Sequence, residues 1–241
     1  MPNFNNRYIF TYAIIMVIIV ATTLTMVALK LQPIHKNNVR IEKMQNILKA
    51  ININSTPKNA LKLYDQYIKE TLVVNINGDT IKNIDGFNID LQEEFKKTPN
   101  TRNLPIYIGI INSEKYFIIP VVGKGLWGPI WGYIGFYDDL NTIYGAFFDH
   151  QGETPGLGAE ISTDIFQQHF KGKKIFNDEG KFVSVKLIKG GANPDNLHEV
   201  DAITGGTITS NGVTDMLYNT LNQYINFIKK YHTKVNLYVE K

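Results

Sequence analysis

The chain has 241 residues, no cysteine, five histidines and a formal charge of +3. Without cysteine there can be no disulfide scaffold, thiolate zinc site, cysteine-ligated iron–sulfur cluster, cysteine nucleophile or lipoprotein anchor. At 44% hydrophobic and 20% charged residues the chain is neither disordered nor collagen-like, and it can bury a sizeable core. The charge is unevenly placed: Arg7 stands alone, Lys30, Lys36, Arg40, Lys43 and Lys49 against Glu42 make +4, and residues 50 to 241 carry a net −2. A nucleic-acid partner would need a basic stripe on the folded part, and none is visible.

From Ile9 to Leu29 run 21 residues without a charge. As a helix they span roughly 31 Å, about one bilayer core. A cleaved signal peptide has an apolar region of about 7 to 15 residues followed by an A-x-A site, and neither condition is met. The reading is a retained anchor over residues 1–31. The richer Lys and Arg flank lies on its C-terminal side, so the charge rule taken alone places the large domain inside the cell.

Past the anchor, Ile34, Ile41, Met44, Leu48 and Ile51 recur at helical spacing and predict an amphipathic helix. A second helix is predicted over Lys58–Lys69, with Pro57 at its first turn, and residues 32–69 read as a helical connecting segment. Short β-rich runs follow at Thr71–Ile76, Ile106–Ile111, Lys115–Val122, Ile130–Tyr137 and Ile143–Phe148. A short helix near Asp90–Lys97 interrupts them. Then come a helix near Thr163–Phe170, a strand near Phe182–Ile188 and a last helix from about Asn211 to Lys230, whose Val213, Met216, Leu217, Leu221, Tyr224 and Ile228 share one face. The order of elements predicts one α+β domain over residues 70–241 behind a single N-terminal transmembrane helix.

Three stretches are candidates for chemistry. Gly123-Lys124-Gly125-Leu126-Trp127-Gly128 satisfies GxGxxG, but Pro129 and a β-rich run follow it, whereas a dinucleotide site needs a helix start there. It reads as a glycine-rich hairpin whose Trp127 and Trp131 fill core space, or as a surface for a flat ligand. Glu153-Thr154-Pro155-Gly156-Leu157-Gly158 is a tight loop whose backbone a ligand can approach closely. A plain strand-to-helix connection is the simpler account of it. Asp201-Ala202-Ile203-Thr204-Gly205-Gly206-Thr207 precedes the final helix, for which Thr209, Ser210 and Asn211 are all capable caps. The free amides of that helix start lie near the Thr207 hydroxyl, where a phosphate is stabilised. A capped helix behind a Gly-Gly turn explains the same residues without any ligand. No motif of a self-contained hydrolase and no metal-ligand set is present.

DAITGGT resembles the flavinylation motif DxxSGAT or DxxTGAT. Together with GLWGPIWGY and GETPGLGAEI in the same order, it makes the sequence similar to the C subunits of the Na+-translocating NADH:quinone reductases. The likeness covers the anchor and the chain from about Leu126 to Val213. It implies a membrane-bound flavoprotein subunit that relays electrons within a multi-subunit NADH:quinone reductase and is not catalytic alone. It further implies FMN joined by a phosphoester to Thr207 and installed by a separate flavin transferase that releases AMP. Asp201, Thr204, Gly205 and Gly206 then form the phosphate-side segment, and Glu153, Thr154, Gly156, Leu157 and Gly158 the loop near the ring. Trp127 is a further wall. Gly206 stands where the family usually has Ala, which should loosen the turn. The resemblance also implies the inner membrane with the flavin domain on the periplasmic side, against the charge rule. The G subunit of Rnf-type complexes shares the threonine-linked FMN and the ETPGLG-like loop. A tethered, non-redox module holding an anionic ligand is the alternative of a different class.

Overall fold

The computed structural model describes residues 5 to 239. The chain divides into two units, one ending at Lys43 and the other beginning at Met44. Helix α1 (Asn6–Ala50) accounts for the first. Tyr8, Phe10, Ile14, Val17, Ile18 and Leu24 are all exposed on it. A helix apolar on every side belongs in hydrocarbon, where each polar group must find an internal partner. Thr11, Thr23 and Thr25 do so by donating to the carbonyl oxygens of Arg7, Ile19 and Ala21, each at 2.8 Å. Helix α1 is long and apolar enough to cross a membrane, as the uncharged run predicts.

In the second unit the end of α1 is part of the core: Met44, Ile47, Leu48 and Ala50 are buried. Of the predicted apolar stripe, Met44, Leu48 and Ile51 are buried, while Ile34 is 57% exposed. Asn52 adopts a left-handed φ of 57° and stops the helix. The amides of Asn52 and Ile53 turn back to the carbonyls of Lys49 and Leu48, so the last carbonyls are satisfied. Helix α2 (Ala60–Tyr67) runs directly into strand β1 (Ile68–Val74), so the helix-to-strand boundary falls before Lys69 and not after it.

Strands β2 (Leu104–Ile111), β3 (Glu114–Lys124), β4 (Pro129–Phe136) and β5 (Ile143–His150) complete a five-stranded antiparallel sheet in sequential order. The four predicted runs from Ile106 onward lie in it, except that β4 stops at Phe136, one residue short of the predicted Tyr137. Helix α3 (Leu91–Lys96) is capped by Asp90, whose carboxylate accepts from the amide of Gln92 at 2.9 Å, and α4 (Asp164–Gln168) by the Thr163 hydroxyl. The predicted strand at Phe182–Ile188 shrinks to β6 (Lys186–Ile188), because Ser184 has a φ of 62° and breaks the extended run. Strand β6 pairs in parallel with β7 (Glu199–Asp201).

The last helix is two. Helix α5 (Thr207–Leu221) and α6 (Ile225–Val239) are separated by a 3₁₀ turn at Asn222–Tyr224. Along β3, Phe117, Ile119 and Val121 join the core that contains Val213, Met216, Leu217 and Leu221 of α5. Ile118 points to the opposite face, where it converges with Ile51 and Ile68 on Gly109. That face also receives the end of α1. A Cβ on Gly135 or Gly145, facing residues of β4 and β5, would come within 2.2 or 2.6 Å of the Ala50 carbonyl. The architecture is therefore the α+β class read from the sequence, with helices on both faces of one antiparallel sheet.

Two glycines bring α5 close to the end of β3. A Cβ on Gly123 would lie 2.6 Å from Cβ of Met216, and one on Gly212 would lie 2.3 Å from the Lys124 carbonyl oxygen. The Thr220 hydroxyl closes the same seam by donating to the Val122 carbonyl at 3.1 Å. Gly212→Ala is expected to lower stability by about 2 kcal/mol, since backbone and not a flexible side chain must yield. Thermal or urea unfolding checks it, and a melting temperature equal to wild type would mean that the helix slides without cost.

Candidate functional site

The close approach of α5 to β3 sets the start of that helix beside the β3–β4 hairpin and the loop after β5. Gly206 is the N-cap, and no side chain caps the helix among the described residues. Gly205, at φ 76°, makes the turn before it, in a region that favours glycine. Thr207 is thus the first helical residue, and its side chain is exposed. The unpaired first-turn amides and the positive end of the helix dipole surround it.

This places the helix start four residues earlier than the sequence predicts. The caps expected at Thr209 and Ser210 have other partners: Thr209 Oγ1 donates to Glu153 Oε2 at 2.6 Å, and Ser210 Oγ accepts from the Ile203 amide at 3.0 Å. Asn211 lies inside α5. The expected looseness at Gly206 is also corrected. Ile203 occupies the space a methyl would take, with its Cγ2 2.9 Å from an ideal Cβ on Gly206.

Glu153 ties the three parts together. It is 5% exposed. Oε1 accepts from the Trp127 amide at 2.8 Å, Oε2 takes the Thr209 hydroxyl, and the Glu153 amide donates to His150 Nδ1 at 3.1 Å. Burial is the largest single influence on its acidity and raises it. The Thr209 hydroxyl and the amides of Trp127, Leu126 and Gly128 together outweigh burial and hold the carboxyl below its ordinary value. Glycine is required around it, because a Cβ on Gly125 or Gly158 would come within 2.6 or 2.4 Å of its oxygens.

Between these parts lies a cleft of about 230 Å³. It gathers eight of the residues singled out by sequence: Trp127, Glu153, Thr154, Leu157, Gly158, Gly205, Gly206 and Thr207. Leu126, Ile208 and Thr209 complete the lining. The sequence marks Thr209 only as a cap, and nothing in it marks Ile208. Three other singled-out residues lie outside this lining. Asp201 ends β7 and accepts from the Ala192 amide at 2.6 Å, pinning the Gly190–Gly191 loop. Thr204 is exposed. Gly156 makes its turn at φ 74°, with its amide donating to Glu160. Trp127 does not fill core space, being 69% exposed. The GxGxxG stretch is a hairpin closed by the Gly125 amide on the Gly128 carbonyl at 2.8 Å, and β4 follows it in place of the helix a dinucleotide site needs, as Pro129 and the β-rich run predict.

A larger groove of about 410 Å³ lies between Gln92 and Phe95 of α3 and the other side of the same hairpin, but it includes no helix start. The smaller cleft has a mixed character. Exposed Leu126, Trp127, Leu157 and Ile208 form its apolar rim, and a hydroxyl at a positive helix end forms its polar corner. Such a lining fits an amphipathic ligand with a flat ring at one end and an anionic group at the other. Among the described residues no cluster of three or more His, Cys, Asp or Glu could hold a metal ion.

The FMN-binding domain family matches residues 125–222, a span that contains the hairpin, the Glu153 loop and the start of α5. The C subunit of the Na+-translocating NADH-quinone reductase of Vibrio vulnificus is 31% identical over 202 residues, covering 77% of this chain and 79% of that protein. The crystal structure of the corresponding C subunit from Parabacteroides distasonis superposes with a TM-score of 0.77 at 43% identity, covering 82% of this chain and 96% of that one. The crystal structure of Shewanella oneidensis NqrC gives a TM-score of 0.71 at 25% identity, with 80% and 98% covered. The shared sequence, extending over more than three quarters of the chain, and the shared fold show that this protein belongs to the NqrC family, the C subunits of the Na+-translocating NADH-quinone reductases.

Proposed function

We propose that the chain is the membrane-anchored flavoprotein subunit through which electrons pass within a Na+-translocating NADH-quinone reductase, and that its FMN is joined by a phosphoester to Thr207. The observation that carries the reading is the Thr207 hydroxyl, exposed at the uncapped start of α5 between a Gly205–Gly206 turn and an apolar rim. The flavin supplies the redox chemistry, accepting and passing on electrons. This chain binds and orients it. The amides of the first turn of α5 face the phosphate end, and Trp127, Leu126, Leu157 and Ile208 shield the ring from water. Glu153 holds the hairpin and the helix start at fixed separation.

Attachment is a reaction done to this chain by a flavin transferase. The Thr207 oxygen forms a bond to the flavin-side phosphorus of FAD, the pyrophosphate P–O bond breaks, AMP leaves, and the hydroxyl proton is released. Asp201, Thr204, Gly205 and Gly206 then serve as the segment the transferase recognises. The position of Asp201 under the Gly190–Gly191 loop, away from the cleft, supports such a role in presentation. Intact mass of the chain expressed with and without a flavin transferase tests the reading. The expected gain is one FMN less one water, and an unchanged mass with the active enzyme present would sink it.

The soluble domain, compact from Met44 onward, is placed on the periplasmic side of the inner membrane, held by the anchor over residues 1–31, with the other subunits of the complex as its neighbours. The family resemblance is the support, and it outweighs the basic flank, which is short. Protease added to spheroplasts should digest the domain, and full protection would put it on the cytoplasmic side.

A further inference from the structure

A site for a phosphate normally presents cations, and this one presents none. No Lys, Arg or His is among the eleven residues lining the cleft, whose single ionisable side chain is Glu153. That carboxylate is buried, and both of its oxygens are held by protein donors, so it cannot turn away, and while ionised it has no proton to donate to an incoming group. Thr209, which takes one of those oxygens, lies two residues from Thr207 in the same helical turn. A fixed negative charge thus lines the same cleft as the hydroxyl that would carry the phosphate. Among the lining residues the counterweight is the partial positive charge of the helix start.

Free FMN carries a phosphate monoester with a charge near −2 above its second pKa of about 6. The diester formed at Thr207 retains a single negative charge. We propose that the cleft selects by charge: it holds the flavin ring, disfavours the dianionic monoester and accepts the phosphate only as the singly charged diester on Thr207, with Glu153 as the residue that sets this specificity. The inference rests on the attachment of FMN at Thr207. The covalent bond, and not a phosphate pocket, then retains the cofactor. Free FMN in the surroundings does not block the hydroxyl before the transferase arrives.

The test uses the full-length chain in detergent, expressed without a flavin transferase so that Thr207 is free. Riboflavin and FMN are titrated at pH 8 and low salt, with binding followed by flavin fluorescence anisotropy against a micelle blank. Riboflavin should bind about fivefold more tightly than FMN. The gap should close in Glu153→Gln, and it should narrow in wild type at pH 5, where the FMN monoester carries about one charge instead of two. FMN binding as tightly as riboflavin or more so, or no binding of either ligand, overturns the proposal. Should Glu153→Gln fail to fold, the wild-type ratio at pH 8 and its narrowing at pH 5 decide. Attachment is read separately. A mass gain with the transferase, alongside equal binding of the two ligands, would leave the bond to Thr207 standing and remove only the charge selection.

Discussion

Thr207→Ala chains made alongside an active flavin transferase are expected to carry no covalent flavin at all, so that a denatured sample shows no yellow colour and no fluorescent band on a gel. In the proposed linkage Thr207 Oγ1 is the single protein atom bonded to the phosphorus, so the expected loss is complete and not graded. Folding should survive it. Thr207 is exposed and is the first residue of α5, and substitutions at such positions change stability by about 0.5 kcal/mol or less, or about 2 °C in melting temperature for a domain of this size. Thr207→Ser keeps a hydroxyl at the same place and should still be loaded. A fluorescent band retained in Thr207→Ala would place the attachment elsewhere, with Thr204 and Thr209 the first residues to examine.

Glu153→Ala is expected to have the largest effect on the scaffold of the site. It leaves the amides of Trp127, Leu126 and Gly128 and the Thr209 hydroxyl without their common acceptor. Removing one buried charged acceptor costs about 3 kcal/mol, reduced where water can enter the open cleft. The pH dependence has a definite sign. The folded carboxyl sits below its ordinary value of about 4.3, so the unfolded chain binds the proton more readily. The contribution of Glu153 to stability is present above that pH and is lost as pH falls through the folded value. The difference in melting temperature between wild type and Glu153→Ala should therefore be constant from pH 7 to 5 and shrink as pH falls below 4. A difference that stays the same down to pH 3 would show that the carboxylate is not held ionised by its donors.

What the sequence made legible follows the range of the forces involved. The uncharged run of α1 and the short β-rich runs that became β2 to β5 depend on local composition, and they are readable one segment at a time. The boundaries that moved depend on partners far along the chain. Thr209 and Ser210 are good local caps, yet the buried Glu153 carboxylate 56 residues away claims one of them and the Ile203 amide the other, so α5 starts at Thr207. The strand at Phe182–Ile188 is plausible by composition, but the left-handed Ser184 cannot be seen in hydrophobic periodicity. The site is legible in part for the same reason. Glycine-rich loops announce themselves, while Ile208 becomes a wall only once the helix start has been placed. Asp201 belongs to the motif by spacing, but its carboxylate is directed to the Ala192 amide.

The exposure of Trp127 has an optical consequence. The chain holds two tryptophans. Trp131, half-buried on β4, gives a steady background, while the indole of Trp127 stands on a backbone fixed by Glu153 and remains open to whatever occupies the neighbouring space. An isoalloxazine chromophore seated there absorbs where indole emits. The protein thus contains its own donor for energy transfer, and its ultraviolet-excited emission can report the arrival of a flavin without any added label.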